Sequence, residues 1–296
     1  MVKVATHNGK FHPDDVCAVA VLSIFHNGNI EVLRTRDSKI VVNADMVVDV
    51  GGIYDTGSGR FDHHQQGGAG VRENGIPYAS FGLVWKEYGP KLCDANMEVV
   101  NKIDEEIVGP IDANDNGIDN PCVETGGLTP LSFGGAISLF NSIWKEKDGA
   151  QDSNFLKAVD FAKSVIERAI EKGKAGSEAS TLVKDAYQTS SDKRIIELDA
   201  RYPWKEALSE YPEPLFVILP DELNNNWRAI AVPKEPHSFA CRKPFPQSWA
   251  GKSDEELQKE TGVEDATFCH NGRFIVVAKS KEGVISLVKK AILDTN

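Results

Sequence analysis

The sequence predicts an α/β fold, a mostly parallel sheet flanked by helices, followed by a smaller α+β domain. Three observations carry that expectation. Two β-branched runs, Glu31–Arg36 and Ala44–Val50, have the length and unbroken apolar character of strands buried on both faces. Helix-length segments alternate with such runs through the first two thirds of the chain, the order that builds a layered parallel sheet. After residue 190 strands follow one another more closely, with short helices between some of them. At 296 residues the chain also exceeds what one core usually occupies. Two domains are therefore expected, 1–190 and 191–296.

The elements read in order as follows. Val2–Thr6 is a short apolar strand, and Pro13-Asp14-Asp15 opens a helix that runs to Phe25. Proline suits a first helical turn, and acids there meet the positive end of the helix dipole. The runs Glu31–Arg36 and Ala44–Val50 follow, the second stopping at Asp49 before Gly51-Gly52. Gly67–Pro77 is a glycine-rich loop. Tyr78–Tyr88, Asn96–Val108, Phe133–Lys147 and Asn154–Lys172 read as helices, with Ser177–Tyr187 extending the last. In the second domain Arg194–Leu198, Leu215–Leu219, Trp227–Val232 and Arg273–Val277 are expected as strands. Trp204–Glu210, Asp254–Thr261 and Gly283–Leu293 are expected as helices.

Composition narrows the class. Hydrophobic residues make up 41% and charged residues 26%, which is ordinary for a folded globular chain. No apolar run approaches the roughly 18 residues that span a bilayer, so no membrane association is expected. The opening Met1–His7 reads as a strand and lacks the pattern of a secretory leader. Five scattered cysteines (Cys17, Cys93, Cys122, Cys241, Cys269) include no Cys-x-x-Cys pair, which points to reduced thiols. A cytoplasmic location is expected, with nucleus or mitochondrion left open. The net charge is −11, unevenly shared. Before residue 190, 18 basic and 27 acidic residues give −9; after it, 15 basic and 17 acidic residues give −2. Part of that acidity is what a cation site requires. No run of Lys and Arg with interleaved aromatics marks a long nucleic-acid track.

The chemistry concentrates near the start. Five of seven histidines fall within the first 64 residues, and four of them, His7, His12, His63 and His64, lie in segments that also carry carboxylates. They lie in T-H-N-G-K-F-H-P-D-D and F-D-H-H-Q; V-V-D-V-G-G adds Asp49, and G-P-I-D-A-N-D-N-G adds Asp112 and Asp115. Each alone has a plain structural reading: a surface loop for D-H-H, a polar strand end for His7, a turn residue for Asp49. Together they fit a crevice at the carboxyl ends of parallel strands. Mixed imidazole and carboxylate donors suit Mn²⁺, and less selectively Mg²⁺ or Zn²⁺.

The D-H-H triplet Asp62-His63-His64, with a His/Asp motif after the first strand and a lone Asp ending a later one, resembles the DHH phosphoesterase superfamily. More specifically the chain resembles the MYG1 (UPF0160) family. The segments that carry this likeness are 6–15, D-V-G-G-I-Y-D (49–55), R-F-D-H-H-Q (60–65) and I-D-A-N-D-N-G-I (111–118), then Y-P-W-K-E-A-L (202–208), F-A-C-R-K-P-F-P-Q-S-W-A-G (239–251) and A-T-F-C-H-N-G-R-F-I (266–275). One departure stands out: His12 occupies the place of the superfamily's first motif Asp.

The resemblance implies a metal-dependent phosphodiesterase with two divalent ions, Mn²⁺ or Mg²⁺. His7, His12 and Asp49 would hold one, and Asp14, Asp49, His63 and Asp112 the other, with Asp115 competing for the last place. His64 would donate to a phosphate oxygen and Asp62 would orient a histidine. Asp15 reads equally as a site residue or as a helix-heading acid. A phosphate must be held as well as attacked, so cations are expected in the second domain. Arg242 and Lys243 lie in a proline-punctuated loop, and His270 and Arg273 in a turn, although an Arg-Lys pair is more often a solvated loop. Failing those, Arg34, Arg36, Arg60 and Arg72 are the remaining candidates. By resemblance the activity is 3′–5′ exonucleolytic on RNA or a short oligonucleotide. Hydrolysis of pyrophosphate or dinucleotides is the alternative, and a metal-binding regulatory module without turnover is a third. Self-association into a homo-oligomer stays open.

Overall fold

A computed structural model describes residues 1–118, 130–147, 149–221, 225–235, 238 and 240–295. Cys122 and Phe239 lie outside the described residues. The other four cysteines are unbridged. The chain divides into two compact units, Met1–Lys174 and Ala175–Asn296.

The first unit runs β1 (Val2–Thr6), α1 (Pro13–Phe25), β2 (Ile30–Arg34), α2 (Ser38–Val42), β3 (Met46–Val48), β4 (Tyr54–Asp55), β5 (Arg60–Phe61), α3 (Ser80–Leu92), α4 (Met97–Ile103), a π-helical turn (Asp104–Val108), α5 (Gly109–Asp115) and α6 (Phe133–Ser138). Helix α7 (Ala150–Thr189) begins in this unit and ends in the second. The sheet order is β2-β1-β3-β5-β4. Every pairing is parallel except β4 with β5, so one antiparallel edge closes an otherwise parallel sheet.

Helix α1 organises this unit. Val16 to Leu22 are fully buried in one unbroken run, so the helix is apolar all round instead of striped. It packs against α3, α5 and α6. Its three valines weaken a helix by only a few tenths of a kcal/mol each. Burying each contributes roughly 1.5–3 kcal/mol, so packing decides the conformation.

In the second unit β6 (Ile195–Glu197), α8 (Lys205–Ser209), β7 (Phe216–Asp221), β8 (Asn226–Ala231), α9 (Asp254–Thr261), β9 (Ala266–Cys269), β10 (Ile275–Ala278) and α10 (Lys281–Leu293) form a mixed sheet ordered β6-β7-β8-β10-β9. Only β6 and β7 are parallel. Phe216, Phe245, Leu287 and Val288 are buried in its core.

Two expected helices come out differently. Asn96–Val108 continues to Asp115, widening into the π turn on the way. Phe133–Lys147 stops at Ser138. There Asn141 exchanges two hydrogen bonds with the Phe11 backbone, 3.1 and 3.0 Å, and Gln151 holds both Asn141 (2.6 Å) and the Ser142 amide (2.8 Å). Those side-chain bonds satisfy the backbone better than another helical turn, and Trp144 is left exposed.

Candidate metal centre at the carboxyl edge of the first sheet

Three parallel strands of the first sheet each deliver a candidate site residue just past their carboxyl ends. His7 follows β1, Asp49 follows β3, and Asp62, His63 and His64 follow β5. Strand β1 pairs with β2 on one side and β3 on the other, so the chain winds in both directions from it. Such a switch point opens a crevice at the strand ends. Helix α1 adds His12 at its N-cap and Asp14 in its first turn, and the end of α5 adds Asp115.

Asp49 lies at the centre. Its Oδ2 is 3.3 Å from His7 Nε2, and its Oδ1 is 3.5 Å from His63 Nε2 and 3.3 Å from His64 Nδ1. Ser80, the first residue of α3, donates to the same Oδ1 at 3.2 Å. The backbone of Asp49 is left-handed at φ 54°. Aspartate tolerates that conformation better than most residues, and strain of this kind gathers at functional sites.

Among the described residues, three groups of side chains each bring one donor atom per residue to within 4.8 Å of one another: His7, His12 and Asp49; Asp49, His63 and His64; His12, Asp14 and Asp115. Asp49 and His12 each belong to two groups. Both Asp14 oxygens, Asp15 Oδ2, His7 Nε2 and His63 Nε2 are buried with no hydrogen-bond partner among the described residues. The ring nitrogen of His7 is 3.2 Å from Asp15 Oδ2, near enough for attraction but off the direction of a hydrogen bond. Buried oxygens without donors are costly, by about 1–3 kcal/mol each. A divalent cation is the partner such a set of imidazoles and carboxylates fits.

Asp112 and Asp115 face different neighbours. Asp115 reaches His63 Nε2 at 3.1 Å and His12 Nδ1 at 3.6 Å. Asp112 accepts from the Gly82 amide at 3.0 Å and pairs with Arg72 at 2.8 Å, while Arg72 also grips Asp104 of the π turn through two bonds. A side chain at position 82 would collide with Asp112, which explains the glycine. Asp62 Oδ1 accepts from the His64 backbone (3.1 Å) and from His64 Nδ1 (2.7 Å), and its Oδ2 accepts from the Gly52 amide.

The family described as an uncharacterised protein family (UPF0160), MYG1_exonuc, matches residues 3–292. A human protein named MYG1 exonuclease is 30% identical over 98% of this chain and 85% of its own length. A MYG1 protein of Schizosaccharomyces pombe is 32% identical over 99% of this chain and 98% of its own length. One from Saccharomyces cerevisiae is 32% identical over 98% and 95%. The chain belongs to the MYG1 family.

In this MYG1-family chain the crowded charges shift one another strongly. Burial alone would lower the His7 imidazole, but Asp15 and Asp49 outweigh it and carry the ring up to about 10. Burial likewise opposes the charge on His63, yet Asp115 and Asp49 raise it to about 10. Burial works to raise Asp49, and His63 and His7 overcome it to hold the group below the usual carboxylate range. Asp14 is pushed far upward, first by burial and then by the charges of Asp49, Asp115 and Asp15. Burial also raises Asp112, to about 7 despite Arg72.

The cations expected in the second unit are engaged elsewhere. Arg242 donates to the carbonyls of Tyr211 (2.6 Å), Pro214 (3.1 Å) and Leu208 (3.4 Å). Lys243 donates to the Asp294 carbonyl at 2.7 Å, and Arg273 to that of Phe245 at 3.4 Å. His270 Nδ1 accepts from the Gly272 amide, tying its own turn together. Two site neighbours gave little sequence signal. Asp15 caps the α1 backbone through its Oδ1 while its Oδ2 approaches His7, and only its adjacency to Asp14 hinted at that. Nothing in the sequence set Ser80 apart.

A cavity of about 320 Å³ opens over this cluster, lined among others by His7, His12, Arg36, Asp49, Asp62 and His64. Among the described residues no helix is long and apolar enough to cross a membrane.

Proposed function

We propose that this chain is a two-metal phosphodiesterase acting on RNA, a 3′–5′ exonuclease. The overlapping His/Asp groups that share Asp49 and His12, with buried Asp14 oxygens left unpartnered, carry this reading. The relatives named MYG1 exonuclease support its nucleic-acid substrate. His7, His12, Asp14, Asp49, His63 and Asp115 would hold two divalent ions, with Asp49 shared. Asp115 is preferred to Asp112 because Arg72 already neutralises Asp112. The donor set favours Mn²⁺, with Mg²⁺ as second choice.

Paired divalent ions clamp the oxygens of a phosphate under in-line attack and make bound water acidic enough to serve as nucleophile near neutral pH. The protein's own residues do the rest. With Nδ1 held by Asp62, the largely exposed His64 ring lines the cavity with its Nε2 uncommitted, and that nitrogen would donate to a phosphate oxygen as charge builds. The His7 ring is set by its Nδ1, which donates to the Asn8 carbonyl at 3.1 Å and leaves Nε2 for a cation, while Asp15, fixed through Oδ1 by two backbone amides, keeps its Oδ2 beside that nitrogen. His7 and His63 must give up protons when a cation binds, because their raised affinities keep them protonated at neutral pH in its absence.

Residues 1–190 carry the chemistry in this account, and residues 191–296 form the substrate-binding domain. A groove of about 550 Å³ in the second unit, lined by Tyr202, Trp227 and Lys281 among others, supports the second role, since bases stack on aromatic rings. The small volume over the cluster favours pyrophosphate or dinucleotides as the alternative substrates. Labelled short RNA, short DNA, pyrophosphate and a dinucleotide, each assayed with Mn²⁺ and Mg²⁺, separate the two. Stepwise shortening of RNA from its 3′ end is the expected result. Turnover of pyrophosphate alone would favour the alternative, and turnover of none would refute both.

A further inference from the structure

Among the four arginines of the first unit that could meet a phosphate, three have their terminal guanidinium nitrogens engaged. Arg34 is bound to Asp152 (2.7 Å) and the Gly9 carbonyl (2.6 Å). Arg60 is bound to the carbonyls of Ser58 (2.9 Å) and Val42 (3.2 Å). Arg72 is held between Asp104 and Asp112. Arg36 differs: it is exposed, it makes no hydrogen bond or ion pair among the described residues, and it lines the cavity over the metal-ligating cluster.

Its place in the fold is fixed although its side chain is not. The Thr35 amide donates to the Thr6 carbonyl at 2.7 Å, extending the β1–β2 pairing by one residue toward His7. On the other side the Asp37 amide donates to Thr35 Oγ1 (3.0 Å), and Asp37 caps α2 by accepting from the Lys39 amide (2.8 Å). Arg36 is thus the β2 counterpart of His7 and Asp49, a residue delivered to the same carboxyl edge by its strand. The nearby cavity wall at Gly51 and Gly52 is bare backbone with φ of 98° and 67°, and a Cβ at Gly52 would meet nothing. That leaves room for a bulky tetrahedral group beside the guanidinium.

We infer that Arg36 is the phosphate-holding residue of the first unit, gripping non-bridging oxygens of the substrate with its guanidinium. This rests on the phosphodiesterase reading above. The planar fork of an arginine matches two phosphate oxygens at once, which a lysine cannot do. The other polar side chains lining the cavity are imidazoles and carboxylates; apart from His64, which donates as charge builds, the cations and their orientation require them, so Arg36 is the one permanently cationic lining group that can hold the ground-state anion. It makes the substrate of this site a phosphate ester or anhydride, not a neutral amide or ester.

The test uses the full chain, loaded with Mn²⁺, as wild type, Arg36→Ala and Arg36→Lys. KM and kcat are measured on a short fluorescent RNA, with inhibition by inorganic phosphate and bound metal per chain alongside. Arg36→Ala is expected to raise KM and to weaken phosphate inhibition by about 10- to 100-fold, the range of a lost charge-assisted bond. Its kcat should stay within a few-fold and its metal content should be unchanged, and Arg36→Lys should recover part of the loss. An active wild type with KM and phosphate inhibition unaltered in Arg36→Ala would overturn the inference and leave the functional reading standing. Loss of metal from Arg36→Ala would overturn it too, by showing a structural role. A wild type that turns over no phosphate ester would remove the functional reading, and the inference with it.

Discussion

The carboxyl edge of the first sheet and three basic residues of the second unit, Arg242, Lys243 and Arg273, hold equally polar side chains in opposite states. At the edge, both Asp14 oxygens, Asp15 Oδ2, His7 Nε2 and His63 Nε2 are buried atoms without a hydrogen-bond partner among the described residues. In the second unit Arg242, Lys243 and Arg273 have donors pointed at backbone carbonyls of their own unit. A buried polar group left unsatisfied weakens the fold, so it persists where something else completes it. A satisfied one already has its task. On the proposed function, the difference would separate side chains that meet a ligand from side chains that hold the chain together, although sequence alone makes both look like site residues.

Breaking the first region should have the largest effect. Asp49→Asn keeps a residue that tolerates φ 54° but removes the shared negative charge, and turnover should fall to background with loss of bound metal. Metal analysis beside a nuclease assay checks this, and an active Asp49→Asn would show that Asp49 is not the shared ligand. His64→Ala should come next, lowering kcat by about 10²–10³ while the metal stays. Metal lost from that variant would make His64 a ligand.

The two acids of α5 sharpen the comparison within the first unit. Asp115→Asn should reduce metal affinity with little change in stability. Asp112→Asn should retain metal and activity but lower stability by roughly 1–3 kcal/mol, because Arg72 would lose a charged partner in a buried network. Urea unfolding and metal titration on both variants read the contrast, and the reverse pattern would exchange their roles. The smallest effect on catalysis belongs to the second unit. Arg242→Lys should leave kcat/KM unchanged on RNA while lowering stability by about 1–2 kcal/mol, since one ammonium cannot serve the three carbonyls that the guanidinium serves. A fall in kcat/KM without a fall in stability would return Arg242 to the substrate.

How far the sequence revealed this follows from what each signal depends on. The parallel sheet was legible because Val2–Thr6 and Ala44–Val50 are apolar runs of strand length, and the strand-end rule then placed His7 and Asp49 together. The two-residue strands β4 and β5 were not, since Tyr54-Asp55 and Arg60-Phe61 are too short to show a period and exist only by pairing. Asp112 and Asp115 could not be separated by spacing. Three residues apart on a helix they share a face, and only Arg72, brought from a distant loop, occupies one of them. The same holds for Arg242: its sequence shows a cation in a loop, and its partners lie 28 to 34 residues away.

The most direct test of the account is titration of the metal-free chain with Mn²⁺, counting bound ions while following their magnetic coupling and RNA turnover together. Two ions per chain, coupled to each other through a shared ligand, with turnover rising as the second binds, is the predicted result. Full turnover with one ion bound, or with none after exhaustive chelation, would contradict it.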